Sequence, residues 1–127
     1  MSYIALFKAG NIQQHVLSCS YSLYQEVDPT GRPSSISRGG QIRLEVEGNH
    51  NTELFEWMCN SLEHKDGSVT FINEDGNVTL KELSFKEGYL INFSESFSST
   101  NSNPLNIVLT ISTREIKMGS GTHTNEW

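Results

Sequence analysis

Apolar and polar residues alternate along most of this chain, and the alternation predicts strands. Over Ser2 to Lys8, Tyr3, Ala5 and Phe7 face one way while Ile4 and Leu6 face the other. Both faces are apolar, so this strand is expected to be buried on both sides or paired at an interface. Gly10 and Asn11 mark a turn. From His15 to Val27, Leu17, Cys19, Tyr21, Leu23 and Val27 share one face, and Ser18, Ser20, Ser22, Tyr24 and Glu26 share the other. Such period-two patterning gives a strand with one face on a core. Its opposite face is small and nearly uncharged: an ordinary solvent face, or a surface along which something else passes. In Gln41 to Glu47, Ile42, Leu44 and Val46 point inward while Gln41, Arg43, Glu45 and Glu47 point outward.

Further strands are predicted at Ser68 to Asn73 and Val78 to Lys86. They flank Glu74-Asp75-Gly76-Asn77, where Asp-Gly is a strong hairpin signal. The apolar parity changes between Leu80 and Leu83, which predicts a bulge. Gly88 is read as a turn into Tyr89 to Phe97, where Tyr89, Ile91, Phe93 and Phe97 oppose Asn92, Ser94 and Ser96, with Leu90 on the polar side and Glu95 interrupting the apolar one. Leu105 to Thr113 is the last clear strand, with Leu105, Ile107, Leu109 and Ile111 inward, and Ile116 and Met118 continue it weakly on the opposite parity.

One helix is predicted, from Asn51 to Lys65. Asn51 or Thr52 serves as N-cap, and Glu53 lies in the first turn, where the helix dipole favours an acid. Leu54, Phe55, Trp57, Met58, Cys59 and Leu62 fall on one arc of about half the circumference, wider than the ~100° stripe that one core face needs. The helix therefore sits in a groove, or covers its own sheet and also touches a neighbour. Lys65, Asp66 and Gly67 end it. The sum is one domain over 1–127, mainly β: a small antiparallel β-barrel, or two packed sheets, with one α-helix at the side. A polar tail, 119–127, ends in Trp127, either frayed or docked on a neighbouring surface.

The stretch Asp28 to Gly40, DPTGRPSSISRGG, breaks the pattern. Its only large apolar residue is Ile36, and Pro29 and Pro33 disfavour regular structure. A loop of this length in a compact domain is functional or disordered. Two readings stand: a flexible hairpin loop, or a protruding arm that becomes ordered on a partner.

Charge and chemistry narrow the classes of function. The 127 residues carry a formal net charge of -6, with nine scattered basic residues, which argues against a nucleic-acid backbone as partner. No apolar run is long enough to span a membrane. The start, MSYIALFKAG, lacks a signal-peptide pattern, so synthesis in the cytoplasm is expected. Cys19 and Cys59 have no CxxC spacing and are expected as buried free thiols, with a disulfide as the alternative in an oxidising compartment. His15, His50, His64 and His123 show no metal-ligand spacing and are read as surface histidines. The serines lack nucleophile-elbow glycines. Gly39-Gly40 is no phosphate loop, and Glu56 and Glu63 disfavour a Cys59 thiolate. No catalytic, cofactor or metal site is predicted.

The segment QEVDPTGRPSSISRGGQIRLEVE, Gln25 to Glu47, joins a strand, a TGRPSS-type arm, RGG and an alternating strand. With the NTELFEWM helix and the closing strands it resembles the type VI secretion tube proteins, the haemolysin-coregulated (TssD) family, over nearly the whole length. The resemblance implies a β-barrel with a side helix, built on the plan of phage tail tubes. It implies six-membered rings that stack into a tube inside a contractile sheath, with a spike at the tip and effectors in the lumen. Export would need no signal peptide. The arm would join rings: Asp28, Pro29, Thr30, Pro33, Ser34 and Ser35 within it, Arg32 and Arg38 reaching acids of the next ring, Gly31, Gly39 and Gly40 supplying bends. Phe55, Trp57, Tyr3 and Ile4 would serve contacts within a ring, and Ser18, Ser20 and Ser22 would line the lumen. The alternatives are a phage-type tail tube protein and a monomeric β-sandwich binding or adhesin module; an enzyme ranks last.

Overall fold

The computed structural model describes residues 3–126. Seven strands and one helix follow in the order β1 (Tyr3–Ala9), β2 (Ile12–Tyr24), β3 (Arg38–Glu47), α1 (Glu53–Cys59), β4 (His64–Asn73), β5 (Val78–Phe97), β6 (Leu105–Met118) and β7 (Gly121–Thr124). Every pairing is antiparallel, in the order β3-β2-β1-β4-β5-β6-β7. β3 also pairs with β6, so the first six strands close on themselves. Of the two architectures expected, the barrel is the one formed. Closure satisfies ladder groups that an open edge would leave to solvent.

Alternation explains which residues fill the barrel. Ile42, Leu44 and Val46 of β3 meet Ile107, Leu109 and Ile111 of β6, and Phe7 stacks on Phe85 with ring centroids 6.3 Å apart; all are buried. The bulge expected near Leu80 is present, because Phe71 pairs with Lys81 while Ile72 pairs with Thr79, leaving Leu80 as the extra residue.

Four elements depart from the sequence reading. β2 begins at Ile12, and its register against β3 shifts between Val16 and Ser18. Ile12 and Gln14 are buried before the shift, and Cys19 faces in after it. Leu17, expected inward, is therefore exposed, and Val27 lies outside the strand, also exposed.

The helix has seven residues, not fifteen. Pairing of His64–Gly67 with β5, and of Gly67 with Ala9 of β1, draws the chain into β4 before a longer helix can form. Trp57 Nε1 donates to Glu63 O at 2.9 Å and ties down the return, while Leu62 stands exposed. Gly67 is thus no helix stop. A Cβ there would strike the Lys8 carbonyl and the Phe85 ring, so glycine is needed where β4 crosses close to β1.

Gly88 is not a turn, since β5 runs unbroken from Val78 to Phe97. A register shift against β4 and a φ of 50° at Glu87 bend it there, and Asp66 Oδ1 accepts the Glu87 N–H at 2.9 Å. Finally, the polar tail supplies β7, paired to the end of β6. Trp127 lies outside the described residues.

Candidate assembly surfaces

The arm stands on the last β2–β3 pair, Tyr24 with Arg38. Between them, Val27 and Pro33 form a single antiparallel bridge. Asp28 closes the tip: its Oδ1 accepts from Thr30 N at 2.9 Å, Thr30 Oγ1 at 2.7 Å and Arg32 N at 3.1 Å. The Asp28 carbonyl accepts from Gly31 N at 2.9 Å, and the Arg32 carbonyl accepts from Asp28 N at 2.9 Å. These donors, the Thr30 hydroxyl first, hold the Asp28 carboxyl below its ordinary 3.8. Lower down, Ser34 N donates to Glu26 O at 2.7 Å and Glu26 N donates to Ser35 Oγ at 2.9 Å. Arg38 Nε lies 3.9 Å from Glu26 Oε1, a contact between two exposed side chains. Of the two sequence readings, both start from a hairpin-like excursion between β2 and β3, and the arm is a hairpin closed by its own hydrogen bonds. Pro29 and Pro33 fit because only one bridge, not a ladder, is made. Gly39 and Gly40 belong to β3 rather than to the arm, at its root.

Two apolar surfaces lie on the barrel. β1 pairs with β2 from Leu6 to Ala9; farther out, Tyr3–Ala5 pair with β4, and β2 turns to β3 from Val16. The parted strands leave a groove of about 670 Å³ lined by Tyr3, Ile4, Val16, Leu17, Phe71 and Leu80, among others. Tyr3 is exposed and Ile4 half-buried. The second surface is α1 on β5. Phe55 is 57% exposed and meets Phe93 edge-on at 6.0 Å. Trp57 is placed differently from the expectation. It is 2% exposed and packs in this chain's own core, with Lys65 Nζ 5.7 Å from its ring, so it offers no area to a neighbour. The wide stripe splits accordingly: Leu54 and Trp57 inward, Phe55 outward.

Ser18, Ser20 and Ser22 are exposed on the outer side of β2. The register extends this face over four strands. Ser20 lies beside Arg43, then Thr110, then Asn92; Ser18 lies beside Glu45, then Val108, then Ser94. Sequence reasoning picked out the β2 serines and the polar sides of β3 and β5 separately. Their union needed the barrel register, which no single strand's alternation contains. Arg43 and Glu45 carry opposite charges, so the face has little net charge at its centre.

Reactive chemistry is sparse. Cys19 and Cys59 are free thiols. Burial pushes the Cys19 thiol up to about 11, whereas Cys59, expected buried, is exposed. His123, expected on the surface, is buried, with Nε2 3.0 Å from Asn125 Oδ1. Among the described residues, no group of three or more His, Cys, Asp and Glu side chains could hold a metal ion. No described helix is long and apolar enough to cross a membrane.

The family described as Hemolysin coregulated protein Hcp (TssD) matches residues 1–127. Hcp1 from Flavobacterium johnsoniae is 48% identical and superposes with a TM-score of 0.90, covering 96% of this chain and 99% of its own. Hcp1 from Salmonella typhimurium shares the fold at 14% identity and a TM-score of 0.75, with 98% and 93% covered. A tube-sheath component of the PVC extracellular contractile injection system shares it at 20% identity and a TM-score of 0.60, with 92% and 88% covered. No protein of curated function matches the sequence.

Proposed function

The chain belongs to the haemolysin-coregulated protein (TssD) family and is a tube subunit of the type VI secretion system, and from that premise we propose that it closes into six-membered rings joined end to end by the arm between β2 and β3, with Arg38 at its root. Members of this family are structural proteins that stack as rings and are secreted by the same system. The observation that carries the proposal is the preformed arm. A polar hairpin held by its own hydrogen bonds before any partner arrives pays little ordering entropy on docking. Arg32 and Arg38 bring the charge for contacts with acids of the next ring.

Ring closure by a head-to-tail contact requires two different, complementary patches on one subunit. The β1–β2 groove with Tyr3 and Ile4, and the α1 surface with Phe55, are two such patches sharing no residue. The Ser18–Ser20–Ser22 face, extended by Asn92 and Ser94, is the proposed lumen wall. Small hydroxyl and amide groups there, around the exposed Val108, offer hydrogen bonds to many cargo surfaces with little apolar area to hold any one of them. The proposed partners are other copies of this chain, the sheath and spike, and effector proteins, with export needing no signal peptide. The role requires no catalytic group, metal or cofactor.

The test is removal of the arm tip, with residues 27–33 replaced by a two-residue turn. Rings should persist in light scattering while tubes disappear from electron micrographs. Tubes of normal length after this change would sink the stacking role.

A further inference from the structure

We propose that Asn125, together with Thr113, is a positioning residue for the arm, so that the C-terminal strap sets the direction in which the arm leaves the barrel. This inference rests on the tube reading for its consequence but not for its geometry. β3 follows β6 only as far as Gln41, which pairs with Ser112. β7 takes up the same side of β6 from Glu115 onward. Between them neither ladder on this side of β6 reaches Gly39 and Gly40, whose φ angles are 138° and 97°. Buried carbonyls without donors are costly, and here side chains supply the donors. Thr113 Oγ1 donates to Gly40 O at 2.7 Å; Asn125 Nδ2 donates to Gly39 O at 2.9 Å and to Thr113 O at 3.0 Å.

The amide of Asn125 is itself fixed on every side. Its backbone N–H donates to Arg114 O at 2.6 Å, and its Oδ1 receives His123 Nε2 at 3.0 Å. The two carbonyls facing Nδ2 exclude the flipped orientation, because an oxygen there would meet two acceptors. Gly40 completes the fit: a Cβ at that position would lie 2.6 Å from Asn125 Nδ2. The residues that join β3, β6 and β7 are thus the residues from which the arm starts, one step before the Tyr24–Arg38 pair.

Leverage makes this junction matter. A hairpin with about six residues per side reaches about 20 Å at roughly 3.3 Å per residue. A change of about 10° at its root then moves the tip by about 3.5 Å, more than a hydrogen bond's reach. The arm's internal bonds, centred on Asp28, hold its shape but cannot hold its angle.

The experiment compares the full chain with Asn125→Ala, Thr113→Val, Thr113→Ser and, as a control on the same strap, Thr124→Ala. Hydrogen exchange is read residue by residue, ring mass by light scattering, and tube yield by sedimentation. Asn125→Ala and Thr113→Val should speed exchange at Gly39–Gln41 at least tenfold and lower tube yield at least tenfold, with ring mass unchanged. Thr113→Ser, which keeps the hydroxyl, and Thr124→Ala should behave as the parent chain. Unchanged exchange at the root, or loss of rings along with tubes, would overturn the proposal. Should arm removal itself leave tubes intact, the stacking role fails instead, while the exchange data still decide whether the strap holds the root.

Discussion

Gly39 has a φ of 138°, and a methyl group there would run into the Ser22 carbonyl. That carbonyl is backbone and cannot turn aside. Gly39→Ala should therefore cost about 2 kcal/mol or more, from backbone strain and overpacking together, seen as a lowered urea midpoint. Asp28 governs a different property. Its carboxyl is held below 3.8 by bonds made only in the ordered arm. A group with a depressed folded pKa contributes its order fully above the unfolded value and loses it as pH falls through the folded one. The arm tip should thus be ordered at neutral pH and loosen below about pH 4, the barrel staying intact. Amide shifts of Thr30 and Arg32 followed by NMR would report this, and Asp28→Ala should show the loosened tip at every pH. Shifts that move only with global unfolding would refute the role given to Asp28.

At the scale of elements, α1 divides its side chains between two duties. Trp57 anchors the helix in the core and holds the return to β4 through Glu63 O. Trp57→Ala should destabilise the chain by about 3–5 kcal/mol, the usual cost of emptying a buried aromatic site. Phe55 touches Phe93 only edge-on and is mostly open to solvent. Phe55→Ala should cost less than about 1 kcal/mol in the isolated subunit. In the proposed ring its loss should raise the concentration at which rings form, read by light scattering on a dilution series. Equal effects of the two changes on stability, or rings indifferent to Phe55, would remove α1 from the interface. β5 shows how an element can be misread from its punctuation. Gly88 looked like a stop, but the bend at Glu87 is accommodated inside one strand by the shift in register with β4.

At the scale of the whole molecule, the barrel is a rigid frame that holds three surfaces at fixed mutual positions. The arm leaves from the β2–β3 end, the groove opens where β1 and β2 part, and the polar face covers β2, β3, β6 and β5. Pairing of β3 with β6 removes the two edges that an open six-stranded sheet would present, so assembly through these surfaces is directed rather than open-ended. Light scattering should find a species of about six times the 14.3 kDa of one chain. A subunit that remains monomeric at every concentration, and is not recruited into rings by added tube, would count against ring closure by this chain.

The amino-acid sequence by itself determined a mainly β fold, most strand positions, the inward faces of β3 and β6, the bulge near Leu80, and the arm as an exceptional segment. These are local properties: alternation, turn residues and proline placement act within a few residues of each other. The resemblance carried by Gln25 to Glu47 pointed to the right family for the same reason, since a contiguous motif is legible without its surroundings. Tertiary structure alone decided where local preference met long-range pairing. It cut the helix at Cys59 because β4 gained two neighbours by starting early, and it turned Trp57 inward. It drew the polar tail into β7, buried His123 and brought half-buried Asn125 onto the root of β3. It also joined serines and an asparagine from separate strands into one face. Each of these outcomes depends on which distant strand lies alongside, and register across a closed barrel is not written in any single strand's alternation.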